Sequence, residues 1–173
     1  MRNANACSLG AALLLAACLS SAPPAPPVRW FDPLPAAAVE TSARPTVDLR
    51  VTAAGHLGRE FVVRTAPREV VFDGQHGWID EPVQLVAAAL GARLQQLPGD
   101  GGNVMRVAVE AFEVDVQGEP RAVVRLVVQF AGRRRDVEAQ EPAAGRSPAA
   151  LAAAMAGALG RAAGAVAAIA RGE

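Results

Sequence analysis

Alternation of apolar and polar side chains marks the first strands of the chain. Apolar residues alternate with polar ones from residue 46 to 53, and a period of two is typical of a strand with one buried face. Two β-rich runs, 58–64 and 69–73, are separated by Ala66-Pro67-Arg68. A pair of short apolar runs around such a turn predicts a β-hairpin.

A second, longer hairpin is predicted from residues 104–116 and 122–131, which flank a turn-forming Gln-Gly-Glu-Pro segment. In the first of these strands the alternation changes phase near Ala111. Because one face of a half-buried strand must stay apolar, this change predicts a β-bulge or a sharp bend at that point. A shorter strand is expected at about 136–139.

Two segments carry the spacing of helices. Apolar residues recur every three or four positions from Ile79 to Leu94, with Asp80 as the predicted N-cap and Pro82 in the first turn. Ser147, followed by proline, opens an alanine-rich segment that is expected to stay helical to about Arg171. The order of these elements predicts an α+β fold, a two-layer sandwich in which two helices pack on one face of a mainly antiparallel sheet.

The N-terminus has the features of a secretory signal peptide. Arg2 precedes the apolar run 9–16, which is too short to span a bilayer. The tetrapeptide Leu15-Ala16-Ala17-Cys18 then matches the lipobox of bacterial lipoproteins. That match implies removal of residues 1–17, a diacylglycerol on the Cys18 sulfur and an acylated amino group, which together anchor a protein stably in a membrane. The alternative is a plain secreted protein with an incidental cysteine.

The residue after the cysteine indicates which membrane holds the protein. Leu19 stands where lipoproteins that are retained in the inner membrane usually have aspartate. The periplasmic face of the outer membrane is therefore the expected location, and the inner membrane is the second choice.

Composition sets further limits on the mature chain. Lys plus Arg and Asp plus Glu both number 17, so the charge balance does not indicate binding to nucleic acid. With Cys7 lost and Cys18 acylated, the folded domain has neither a disulfide nor a thiol ligand.

The stretch between the anchor and the domain is rich in proline and alanine. Residues 18–45 are interpreted as the lipidated cysteine and a tether, and residues 46–173 as one folded domain. Within the tether, Val28-Arg29-Trp30-Phe31 is an apolar island. Because aromatic residues favour strands, two interpretations of this segment are equally supported: an additional edge strand of the domain, or part of a free tether.

Residues 58–94 resemble the central segment of the PqiC-like ABC-type transport auxiliary lipoproteins. The resemblance lies in a strand that carries Arg64, then in Gly77-Trp78, and then in Asp80-Glu81-Pro82 at the start of a helix. Trp30-Phe31 stands where that family has a pair of tyrosines, and the late alanine-rich helix also fits. Gly77 departs from the family, which usually has a basic residue beside the tryptophan.

The resemblance implies an outer-membrane-anchored, non-catalytic auxiliary subunit of an ABC/MCE-type lipid transport system. The implied partners are an MCE-domain protein and the subunits of an ABC transporter, and a homo-oligomer is compatible with the sequence. The alternative function is that of a stand-alone structural or assembly lipoprotein of the envelope. The genes beside this one would separate the two.

Catalytic and metal-binding patterns receive little support from the sequence. The serines and the two histidines lie in no Gly-x-Ser-x-Gly elbow, so an enzyme is not expected. Asp73 and His76 are only two ligands in a predicted turn, and neither a metal nor a cofactor is expected.

The remaining charged groups are interpreted as surface residues. Carboxylate pairs such as Glu110 and Glu113 are interpreted as solubilising residues. The run Arg133 to Arg135 fits either contact with anionic lipid head groups or a charged hairpin tip, and its short length favours the tip.

Aromatic residues are the candidates for contact with a partner. Trp30, Phe31 and Trp78 are proposed from the sequence as a partner surface, beside Cys18 as the site of lipid attachment. Trp78 has two interpretations, a core residue beneath the start of the first helix or an exposed aromatic on that surface. The core interpretation of Trp78 is favoured, because its neighbour Ile79 is apolar and the adjoining helix face is predicted to point inward.

Overall fold

The computed structural model describes residues 25–34, 47–53, 55–95 and 103–173. The predicted signal peptide and Cys18 lie outside the described residues. The described elements, in chain order, are β1 (Arg29–Phe31), β2 (Val47–Ala53), β3 (Glu60–Ala66), β4 (Glu69–Trp78), α1 (Pro82–Leu94), β5 (Asn103–Asp115), β6 (Arg121–Phe130), β7 (Arg133–Pro142) and α2 (Pro148–Arg171).

Seven strands form one mixed sheet in the order β1-β4-β3-β5-β6-β7. The remaining strand, β2, pairs with the first half of β5, and β3 pairs with the second half. Strands β2 and β3 therefore lie one after the other along the same edge of β5. Both run parallel to β5, and β1 runs parallel to β4, whereas the hairpin pairs are antiparallel. The predicted α+β class is confirmed, with a sheet that is mixed and has its helices against one face.

The predicted irregularity in the long hairpin is present. The pairing of β5 with β6 shifts between Val109 and Ala111, which leaves Glu110 as the extra residue of a β-bulge. Met105 before the shift and Phe112 after it are both fully buried. The bulge therefore returns the apolar residues of the second half of β5 to the core side of the sheet. Strand β7, which was expected at about residues 136–139, is longer than those four residues and spans Arg133–Pro142.

Helix α1 begins later than the sequence predicted. Its N-cap is Glu81 instead of Asp80, with no side-chain hydrogen bond at the cap, and Pro82 is its first residue. Ile79 precedes the helix and is about half exposed, so its assignment to the buried helix face was wrong. The face that does pack against the sheet and α2 consists of Pro82, Leu85, Val86, Ala89, Leu90 and Leu94.

Helix α2 has the predicted start at Ser147, whose hydroxyl oxygen accepts a hydrogen bond from the backbone N–H of Ala150 at 3.3 Å. It lies on β6 and β7, where Gly157 allows close approach: a Cβ there would stand 2.9 Å from the carboxyl group of Glu141. By length and composition α2 could cross a bilayer. Half of its apolar stretch is buried inside the domain, however, as in a core helix of a soluble fold.

Candidate partner-binding surface

The short strand β1 brings together the three aromatic residues that the sequence selected. It pairs in parallel with the end of β4, so that Trp30 is opposite Gly77 and Phe31 is opposite Trp78. The N–H of Ile79 continues this pairing by donating to the carbonyl of Phe31 at 2.9 Å. Residues 29–31 thus belong to the sheet, and the folded domain extends N-terminal to the boundary predicted at residue 46.

Phe31 and Trp78 turn toward the core face of the sheet. Trp78 is 1% exposed, stacks on Phe61 with ring centroids 4.0 Å apart and meets Phe112 edge-on at 5.3 Å. Phe31 is partly buried and lies 5.5 Å from Phe61. Of the two positions predicted for Trp78, the structure shows the core one. Trp78 supports the surface from beneath and offers no accessible area to a partner.

Trp30 lies on the opposite face of the same strand and is 50% exposed. Its ring covers the backbone of Gly77, where a Cβ would come within 2.4 Å of a ring carbon. The guanidinium of Arg59 lies over the ring, 4.3 Å from its centroid. Arg59 is itself fixed, since it donates to the carbonyl oxygens of Trp78 at 3.3 Å and Ile79 at 2.6 Å.

These contacts hold an exposed aromatic ring in one orientation. Strand alternation also directs Val28 and Ile79, which are 45% and 47% exposed, to the same face as Trp30. We call Val28, Trp30, Arg59 and Ile79 the Trp30 surface. An ordered tryptophan loses little conformational freedom when a partner covers it, and tryptophan and arginine are the residues most enriched in binding hot spots.

Ion pairs occupy part of this open face of the sheet, away from the helices, and the ring of Phe72, which lies opposite Val62, is also 51% exposed there. Arg64 donates to both carboxylate oxygens of Glu113, at 2.6 and 2.7 Å, and its hydrogen bond to that carboxylate raises the pKa of Arg64. Glu113 is only 4% exposed, so its interpretation as a solubilising residue was wrong. Arg121 pairs with Asp115 at 2.7 Å. The open face thus carries charged pairs as well as exposed apolar residues.

The free energy of unfolding should depend on pH through the Asp115 carboxyl group. The N–H of Gln117 lowers the pKa of the Asp115 carboxyl; burial opposes this shift and Arg121 reinforces it. Because the folded pKa is depressed, the stabilisation is complete above the unfolded value of about 3.9 and is lost as pH falls through the folded pKa. In Asp115→Asn the free energy of unfolding should therefore decline less than in wild type between about pH 5 and about pH 2.

Urea unfolding at a series of pH values measures this difference. Asp48→Asn is the matched control, because Asp48 belongs to an exposed pair with Arg50 at 3.1 Å. Parallel acid profiles for wild type and Asp115→Asn would contradict the assignment.

The two residues that the sequence considered as metal ligands are neighbours in one strand. Asp73 and His76 lie in β4, joined by a 2.7 Å contact between the Asp73 carboxylate and His76 Nδ1. Within the described ranges, no group of three or more His, Cys, Asp or Glu side chains is placed to hold a metal ion. Arg59 and Ile79 were missed as surface residues. The glycine at 77, unusual beside the tryptophan, was the available signal that something packs against this backbone.

Comparison with known proteins supports the fold only. No family model matches the chain, and no curated protein matches it. A crystal structure of a protein from Xanthomonas campestris, described under the family model DUF330, is similar with a TM-score of 0.65 and 18% identity, covering 81% of this chain and 93% of that one. A second, titled as an uncharacterized protein, has a TM-score of 0.60 and 15% identity, covering 82% and 97%. The chain thus has the fold of these two proteins.

Proposed function

We propose that the protein is a periplasmic lipoprotein, anchored in the outer membrane through Cys18, that serves as a non-catalytic auxiliary subunit of an ABC/MCE-type lipid transport system. In this proposal the acyl chains fix the protein in the membrane, and the folded domain binds the MCE-domain protein or the transporter subunits. Phospholipids cross water poorly, so a shielded route between two membranes needs a protein that holds its end at the membrane. A tethered domain with a docking surface meets that need.

The single observation that carries the proposal is the Trp30 surface. Trp30 is half exposed, yet it is clamped between the backbone at Gly77 and the guanidinium of Arg59. An aromatic ring that served only the core would be buried, as Trp78 is. Trp30 lies on an edge strand and follows Cys18 by 12 residues in the sequence, a short separation that supports docking near the proposed anchor.

The sequence supports the same proposal independently. The lipobox ending at Cys18 supports the anchor, and the residues Arg64 and Gly77-Trp78 support the resemblance to the auxiliary lipoproteins. The ion pairs of the open face favour a domain that is exposed to the periplasm over part of its sheet and leaves the Trp30 surface for a partner.

Affinity purification of the acylated protein from mildly solubilised envelopes tests the function. We expect an MCE-domain protein or ABC transporter subunits to be recovered with wild type. Trp30→Ala should weaken the affinity for that partner by about 30-fold, the effect of losing a hot-spot side chain, and should lower recovery with it. Cys18→Ala should abolish membrane anchoring and leave the domain folded.

The controls separate the two candidate functions. Arg68→Ala changes an exposed residue in the turn between β3 and β4 and should leave recovery of the partner unchanged. Recovery of outer-membrane assembly proteins in place of transporter subunits would favour the stand-alone envelope lipoprotein. A preparation without any transporter component, from cells that express the transporter, would refute the transport role.

A further inference from the structure

Arginine pairing is uneven over the molecule. Among the described residues, the arginines that contact a carboxylate within 3.5 Å or a backbone carbonyl are Arg50, Arg59, Arg64, Arg121, Arg125, Arg146, Arg161 and Arg171. In the same part of the chain, Arg29, Arg68, Arg93, Arg106, Arg133 and Arg135 have no such partner, and three of these, Arg106, Arg133 and Arg135, lie close to Arg134 in the sheet. Arg134 has only Asp136 at 3.6 Å, and both of these side chains are more than half exposed.

These four arginines gather at one end of the sheet, around the turn between β6 and β7. Register places Arg133 opposite Phe130 and Arg135 opposite Val128, on the side of the sheet that carries the helices. Arg106 and Arg134 both lie opposite Gln129, on the open side. The cluster therefore has an excess of positive charge on both sides of the turn, where Asp136 pairs with Arg134 alone.

On the helix side, the arginines border a groove of about 440 Å³ between the β6–β7 turn and the end of α2. Its walls combine cationic and apolar side chains, chiefly Phe130, Arg133, Arg135, Ile169, Ala170 and Arg171. Glu173 also borders the groove, but Arg171 holds it at 2.7 Å, so that pair adds little net charge. Volumes of this size are typical of small-molecule sites.

We propose that this groove binds an anionic phospholipid, with the phosphate on Arg133 and Arg135 and the first part of the acyl chains against Phe130 and Ile169. The inference deepens the proposed function by giving the auxiliary subunit a lipid site of its own, and it rests on that function for the supply of lipid. Arginine is the side chain best suited to phosphate, because its planar fork donates two parallel hydrogen bonds.

The composition of the groove distinguishes an amphiphile from a simple anion. A site for free phosphate would need only converging donors, whereas here partly buried apolar residues, Phe130 and Ile169, extend the cationic wall. A ligand with a phosphate at one end and methylene groups behind it matches both parts. The arginine run that the sequence favoured as a plain charged tip thus forms one wall of a groove whose other wall is α2.

Titration of the full-length chain with soluble short-chain lipids tests the proposal. The probes are dihexanoylphosphatidylglycerol, dihexanoylphosphatidylcholine and glycerol 3-phosphate, which carries the phosphate without acyl chains. Arg133→Ala/Arg135→Ala is compared with Arg68→Ala/Arg93→Ala, which removes two exposed arginines elsewhere. Lipid bound elsewhere on the protein is the same in both variants and cancels in the comparison.

Saturable binding of the phosphatidylglycerol is expected, tighter than that of either other probe. Arg133→Ala/Arg135→Ala should weaken it by about 30-fold, because each basic residue facing anionic lipid contributes about fivefold. The control pair should bind as wild type does. Equal affinity in the two double variants would overturn the site, and equal binding of glycerol 3-phosphate would overturn the amphiphile and leave a simple anion site. Neither result depends on recovery of a transporter partner, so this inference and the proposed function can fail separately.

Discussion

Trp78→Ala should lower the free energy of unfolding by about 3–5 kcal/mol. Trp78 is fully buried, stacks on Phe61 and contacts Phe112 edge-on, so its removal leaves a large cavity on the core face of the sheet beside these two rings. The cavity would also withdraw support from β1, whose Phe31 lies opposite Trp78. Urea unfolding followed by far-ultraviolet circular dichroism measures the loss without relying on tryptophan fluorescence.

Trp30→Ala is the matched control for this experiment. It removes the same side chain from a half-exposed position and gives up mainly the contact with Arg59, which is worth about 1 kcal/mol. We expect the two variants to separate cleanly: Trp78→Ala reduces stability, and Trp30→Ala reduces partner recovery. Similar losses of stability in both variants would contradict the assignment of one ring to the core and the other to the surface.

Arg64→Ala is expected to cost about 3 kcal/mol of unfolding free energy. The reason is the carboxylate that it leaves behind: the Glu113 side chain is only 5% exposed and receives both of its short hydrogen bonds from Arg64. A buried charge without its partner costs far more than an exposed one. Adding Glu113→Gln to this variant should recover part of the loss, since the amide carries no charge.

Arg125→Ala provides the comparison for that ion pair. Arg125 and Glu138 form a pair on the same face of the sheet, but both side chains are 44% exposed, so the expected cost is about 1 kcal/mol or less. If Arg64→Ala were no more destabilising than Arg125→Ala, burial of Glu113 would not matter to stability, contrary to this prediction.

Local patterns predicted the elements that depend on neighbours in sequence. The change of phase at Ala111 predicted the bulge in β5, because that side-chain alternation is encoded within one strand. Ser147 and the proline after it predicted the start of α2, because capping is also a local interaction. The apolar spacing that wrongly included Ile79 in α1 shows the limit of the same approach, since a residue just before a helix can continue its period by chance.

Features that depend on residues far apart in the sequence were harder to predict from the sequence. The apolar island around Trp30 fitted a strand or a tether equally well, and only its pairing with β4 decides between them. Glu113 looked like a solvated acid because its partner, Arg64, lies on another strand that pairs with β5 in parallel. Arg59 gave no local sign that it would cover an aromatic ring.

Site-specific photocrosslinking in cells tests the central claim, that the Trp30 surface docks the anchored domain onto a lipid transport system. A photoreactive amino acid is placed at position 28 of the acylated protein, where Val28 is exposed on that surface and Trp30 is retained, and at position 68 as an exposed control away from the surface. We expect a crosslink from position 28 to an MCE-domain protein or an ABC transporter subunit, and none from position 68. The same crosslinks from both positions, or none from position 28 in cells that express the transporter, would contradict this claim.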